Sequence, residues 1–166
     1  MTARAVLTSA AVGLAAIGAS PMVDGPPVVV WNTTSSAPLG FWLIERHASL
    51  GRGDWAVIQP DPRTAHWLAD RRYLRVGALL IKSVAAVEGQ TICRQSHVVT
   101  VDGKPAAFAL EADRWRRALP MWAGCRTLRP GELFLINADP YSLDGRYLGV
   151  TRVRQVVGRA TLIWSP

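Results

Sequence analysis

Ser36 and Lys82 are the residues whose types and surroundings could do chemistry together. Ser36 lies in the hydroxyl-rich turn Asn32-Thr33-Thr34-Ser35-Ser36-Ala37-Pro38-Leu39-Gly40, between the β-branched run Val28-Val29-Val30 and the apolar Phe41-Trp42-Leu43-Ile44. A strand delivers this serine and a proline-stiffened turn presents it. Lys82 interrupts residues 76–87, which otherwise read as a strand buried on at least one face. An ammonium there must be paired, must reach water, or must give up its proton. Lysine can take the third route and arginine cannot, so a buried lysine can serve as general base to a serine nucleophile. The same side chain snorkelling from a strand edge would be an ordinary cation. Lys82 and Lys104 are the only lysines beside seventeen arginines, so the chain generally uses arginine where any cation will do.

Three boxes extend this pair. Ser36-Ala37-Pro38-Leu39-Gly40 looks like the Ser-x-Pro-x-Gly box of the TraF-type conjugative-transfer peptidases, a branch of the Ser-Lys signal peptidases. Leu80-Ile81-Lys82-Ser83-Val84-Ala85-Ala86 is similar to that family's lysine box. Ser142-Leu143-Asp144-Gly145-Arg146-Tyr147-Leu148-Gly149 resembles its third box, usually Ser-x-Asp-Ser-Arg-Tyr-x-Gly, and the segment Leu119-Pro120-Met121-Trp122-Ala123-Gly124-Cys125 is also reminiscent of the branch. The boxes stand in the family's order over most of residues 28–164. Glu88-Gly89-Gln90, where the family has Pro-Gly-Asp, and Gly145, where it has serine, depart from the pattern at turns and touch neither nucleophile nor base. Ala37 and the early Pro38 set the chain apart from housekeeping signal peptidases, which carry methionine after the nucleophile.

The resemblance implies a compact β fold and a serine endopeptidase with Ser36 as nucleophile and Lys82 as base. It implies an oxyanion hole formed by the Ser36 backbone N–H with the Thr34 hydroxyl as second donor. As a plain turn residue, Thr34 would only make local hydrogen bonds. Ser142 matches the serine that orients the lysine, although after Asp139-Pro140-Tyr141 it would equally suit a turn. Asp144 and Arg146 are expected to form a structural ion pair, and the branch leaves open a functional part for Asp144. The implied substrate is a pilin or other secreted precursor, hydrolysed or cyclised in conjugative transfer, with other conjugative transfer proteins as further partners. No cofactor is called for.

The elements that must position these residues are mainly β. Strands are expected over residues 27–31, 41–46, 55–59, 78–87, 91–94, 98–101, 132–137 and 156–164, with Asp102-Gly103 as a hairpin turn. One helix is expected over residues 62–72: Asp61 suits the N-cap, Pro62 the first helical position, and Arg71-Arg72 the C-terminal dipole. Ahead of this body, residues 5–23 carry no charge, and a helix of nineteen residues reaches ~28 Å, the bilayer core. Residues 1–23 therefore read as a membrane anchor or a cleaved signal segment, residues 24–27 as a linker, and residues 28–166 as the catalytic domain. Arg4 on the short flank favours a cytoplasmic N-terminus, which puts the catalytic domain on the periplasmic or extracytoplasmic side of the bacterial inner membrane.

Composition removes other classes. A net charge of +7 suggests nucleic acid, but the arginines are scattered and no zinc-finger, basic-zipper or RNA-recognition signature is present. A basic, tryptophan-bearing surface facing anionic lipid accounts for the charge without nucleic acid. Two cysteines and three unpaired histidines make no metal site. Outside the cytoplasm Cys93 and Cys125 are compatible with one disulfide; the alternative is two reduced thiols. A soluble self-cleaving repressor with the same dyad would need an N-terminal helix-turn-helix, where this chain has its apolar segment. The remaining alternative is a non-catalytic, basic, membrane-anchored component of a transfer or secretion machine.

Overall fold

In the computed structural model the described residues are 28–166, so the anchor or signal segment and the linker fall outside them. Among the described residues, eleven strands form two antiparallel sheets. The larger sheet contains β1 (Val29–Asn32), β2 (Gly40–Glu45), β3 (Trp55–Ile58), β4 (Leu80–Ala86), β9 (Glu132–Leu135), β10 (Thr151–Arg152) and β11 (Val156–Trp164), in the order β1-β2-β11-β3-β4-β9-β10. The smaller contains β5 (Thr91–Gln95), β6 (Val98–Val101), β7 (Lys104–Phe108) and β8 (Gly124–Thr127), in the order β7-β6-β5-β8. Among the described residues, no helix is long and apolar enough to cross a membrane.

Alternation fixes which faces are buried. β2 turns Trp42 and Ile44 inward against Val57 and Ala160, while Phe41 remains exposed on the other face. Removing a buried aromatic such as Trp42 would cost about 3–5 kcal/mol. A second cluster packs Leu68 of the helix α1 (Pro62–Asp70) on Leu80, Val84 and Leu135. A third joins the two sheets through Ile92, Val99, Phe134 and Tyr147.

The expected strands and helix are present, with ends shifted by a residue or two, and three further strands join them. β7 is exposed and holds Pro105 at the sheet edge, β8 is exposed along its whole length, and β10 is two residues long. None of the three has the buried alternation that marks a strand in sequence. A single helical turn, α2 (Gly145–Leu148), lies inside the third box. Asp61 caps α1 by accepting from Thr64 N (3.1 Å), as its sequence suggests. α1 ends at Asp70, and the Arg71 guanidinium stacks on Trp67 and donates to Ala118 O at 2.7 Å, which ties the helix to the loop following β7.

Two glycines of the boxes are required by close approach. Gly40 adopts φ +139°, and a Cβ there would lie 1.9 Å from the Trp164 carbonyl oxygen. A Cβ on Gly145 would come within 2.7 Å of both the Leu135 oxygen and the Phe134 ring. The missing serine in the third box is thus matched by a phenylalanine that occupies its space.

Cys93 and Cys125 face each other across β5 and β8 and are joined by a disulfide. The sequence separation of 32 residues corresponds to a loop-closure stabilisation of about 3–4 kcal/mol. Alkylation followed by mass spectrometry of native protein should find no free thiol, and reduction should lower the unfolding midpoint. Two alkylated cysteines without prior reduction would contradict the pairing.

Candidate active site

The turn carrying Ser36 is organised by one buried amide. Asn32 ends β1, and its Nδ2 donates to Thr34 O (2.9 Å), Ala37 O (3.0 Å) and Pro38 O (3.0 Å). Its Oδ1 accepts from Thr34 N (3.1 Å) and the Thr34 hydroxyl (2.8 Å). Backbone groups on both sides of Ser36 are therefore held by a single side chain, and Trp42 Nε1 adds a donor to Pro38 O at 3.1 Å. Ser36 is half-buried, with Thr34 Oγ1 3.5 Å from its Oγ. The one hydroxyl hydrogen of Thr34 points to Asn32, so the hydroxyl must rotate before it can donate to an oxyanion at Ser36.

Lys82 enters from β4, where it pairs with Ala56 of β3 and is only 3 % exposed. Its Nζ donates to Ser142 Oγ at 2.7 Å and lies 3.5 Å from Ser36 Oγ across a sequence separation of 46 residues. Burial is the main reason its pKa falls from 10.5 to about 8. The Arg146 charge lowers it further, and Asp144 and Asp139 oppose the shift without contacting the ammonium.

Asp144 and Arg146 reach Lys82 through an asparagine. Asp144 Oδ1 accepts from Arg146 Nε (2.9 Å), and Oδ2 accepts from Asn137 N (3.0 Å); both members of the ion pair are buried. Arg146 Nη2 donates to the Asn137 carbonyl oxygen. Asn137 in turn accepts from Ser83 N (2.9 Å) and donates to Ile81 O (3.1 Å), gripping β4 on either side of Lys82. The ladder between β4 and β9 pairs Val84 with Leu135, and just beyond it Ile136 N donates to Ser83 O at 2.9 Å; past that point the Asn137 amide takes the place of strand pairing. Arg94 Nη1 donates to Arg146 O (2.7 Å), and Tyr147 OH donates to Pro140 O (2.9 Å), which fixes the box from behind.

The structure thus brings Ser36, Thr34, Lys82 and Ser142 together at one point and sets Asp144 and Arg146 behind them. Asn32, Asn137, Arg94 and Tyr147 are the supports that sequence reasoning missed. An asparagine at the end of an apolar strand was the available signal for Asn32 and Asn137; nothing local marks Arg94 as buried. Asn137→Ala would leave the Ser83 N–H and Ile81 carbonyl without partners and should cost about 2–4 kcal/mol in chemical denaturation. A change below about 0.5 kcal/mol would show that water replaces the amide fully.

The dyad opens into a cleft of about 790 Å³ between the Ser36 turn, Leu79–Lys82 and the loops holding Tyr73, Trp115 and Tyr141. A partly apolar trough beside a serine and a buried lysine suits an extended peptide.

The chain belongs to the signal peptidase family, peptidase S26, whose profile matches residues 1–165. It is accordingly a serine peptidase of the signal peptidase type, acting on secreted precursors; members of this family are membrane-anchored, with the catalytic domain outside the cytoplasm. Among solved structures it is similar to a signal peptidase I of Enterococcus faecalis V583, with 14% identity, a TM-score of 0.40, and coverage of 69% of this chain and 98% of that one. No curated protein matches the sequence.

Proposed function

We propose that the protein is a TraF-type peptidase that processes, and joins the ends of, a small pilin-like precursor in conjugative transfer. The observation that carries the catalytic part is the contact of Lys82 Nζ with Ser142 at 2.7 Å and Ser36 at 3.5 Å. In the neutral amine one hydrogen is given to Ser142, and the lone pair faces the Ser36 hydroxyl. As Ser36 Oγ bonds to the scissile carbonyl carbon, its proton passes to Lys82; collapse of the tetrahedral intermediate breaks the C–N bond, and Lys82 returns the proton to the leaving amine. The Ser36 N–H and the rotated Thr34 hydroxyl stabilise the oxyanion. The acyl-enzyme then meets either water, giving a linear product, or the substrate's own amine, giving a ring. Asp144 and Arg146 act through Asn137 on the position of Lys82.

The three boxes and the Leu119–Cys125 segment support the TraF branch. Exposed Trp31 and Phe41, near the start of the described chain, cluster with exposed Trp164 at the end of β11, ring centroids 4.7–6.0 Å apart; this aromatic patch beside the strand that follows the apolar residues 5–23 supports a catalytic domain resting on the outer face of the inner membrane.

The test is to co-express the chain with the pilin precursor of its own transfer system and weigh the product. A cyclic product is one water lighter than the linear product of the same cleavage, and the peptidase should sediment with membranes. An unprocessed precursor with active membranes would favour a non-catalytic component, and a linear product alone would remove cyclisation.

A further inference from the structure

Beside Ser36 and Lys82, the lining of the cleft includes two arginines and several aromatic rings. Asp113 accepts from the Tyr73 hydroxyl and from Arg117 Nε (2.7 Å), Arg117 N (2.9 Å) and Trp115 N (2.8 Å). Desolvation pushes the Asp113 carboxyl up, but these donors outweigh it and hold the group well below the usual carboxylate range. It is a fully committed structural anion. The other carboxylate of the cleft, Asp139, accepts from Tyr141 N at 2.8 Å.

The two arginines of the cleft are in the opposite condition. Arg75 and Arg114 both line it and are exposed, and neither forms an ion pair among the described residues. Arg114 is nevertheless held in place: its guanidinium lies 4.7 Å over the Tyr141 ring. A ring covers one face of a guanidinium and leaves its in-plane N–H donors free, the fork that matches a carboxylate. Tyr141 is adjacent to Ser142, which accepts from Lys82, so this fork is tied to the loop that borders the reacting atoms.

We propose that the cleft selects precursors carrying a carboxylate beside the scissile bond, read by Arg114 on its Tyr141 platform with Arg75 adding to the positive potential. This rests on the peptidase reading of the same cleft and names the substrate chemistry it favours. An acidic side chain or a nearby free C-terminus presents the same group, and the two are separable by peptide design.

The test uses alanine-rich, C-terminally amidated decapeptides in which a single glutamate is moved through the sequence, each matched by a glutamine peptide, plus one all-alanine peptide with a free C-terminus. Binding of fluorescein-labelled peptides to Ser36→Ala protein is read by anisotropy, and cleavage by wild type is read as kcat/KM. At one or two positions glutamate should bind about tenfold tighter than glutamine, and the difference should shrink in high salt. Arg114→Gln should level the pair, Arg114→Lys should keep part of it, and Arg154→Gln, at an exposed arginine just before β11 that does not line the cleft, should leave it unchanged. Preference only for the free-C-terminus peptide would identify a terminal carboxylate as the group recognised. Equal binding of glutamate and glutamine peptides at every position, with no gain from a free C-terminus, overturns the proposal whatever is cleaved. A glutamate preference in binding without any cleavage by wild type would instead overturn the peptidase reading and leave the carboxylate site standing.

Discussion

Ser36→Ala is expected to lower precursor processing by about a thousandfold or more while leaving the protein folded. Ser36 is half-buried, and among the described residues its hydroxyl bonds side chains only through the two 3.5 Å approaches to Lys82 and Thr34, so its removal disturbs little packing. Lys82→Ala and Lys82→Arg should be equally inactive for different reasons. Alanine removes the amine, whereas arginine keeps a cation but cannot become neutral. The measurement is kcat/KM on a precursor peptide, with circular dichroism to establish folding. Processing by Lys82→Arg within tenfold of wild type would show that the lysine is not the base.

Activity should rise with pH along a limb set by the lysine. With the Lys82 pKa lowered to about 8, kcat/KM should climb roughly tenfold per pH unit below it and level off above. The same proton controls stability. The unfolded chain holds it up to about 10.5 and the folded chain only up to about 8, so between these values the unfolded state binds more protons and stability increases with pH. Below about 8 the folded state bears the whole cost of the buried ammonium, about 3 kcal/mol from the size of the shift. Lys82→Met removes that cost and loses the bond to Ser142, so it should be about 2 kcal/mol more stable at pH 7. The advantage should fade by pH 10.5. A pH-independent difference, or an activity limb near 10, would mean that the lysine is not desolvated.

Much of the site was legible in the chain because its chemistry is written in residue types. A lysine inside an apolar strand and a serine in a hydroxyl-rich turn are each anomalous where they stand, and an anomaly at a buried position has few physical outcomes. β6 and β11 could be read to the residue because their turn and apolar patterns are local. The edge strands β8 and β10 could not, since their pairing comes from neighbours distant in sequence and β8 has no buried residue at all; β7 follows β6 directly across the Asp102-Gly103 turn, but its exposed residues and Pro105 carry no strand pattern.

By itself, the sequence determined the serine turn, the lysine strand, the third box and the order in which they occur. The tertiary structure decided what connects them. Asn32 and Asn137 each stand at the end of an apolar strand, which marks a position but not a role, because an asparagine next to a strand end is usually a turn residue. Asn32 grips carbonyls only two to six residues ahead, within its own turn, whereas Asn137 became a support only when folding placed the distant Ser83 N–H and Ile81 carbonyl around one amide that carries both a donor and an acceptor. Lys82 likewise lies 3.5 Å from Ser36 because β1, β2, β11, β3 and β4 stack side by side in that order, a contact that no spacing along the chain encodes.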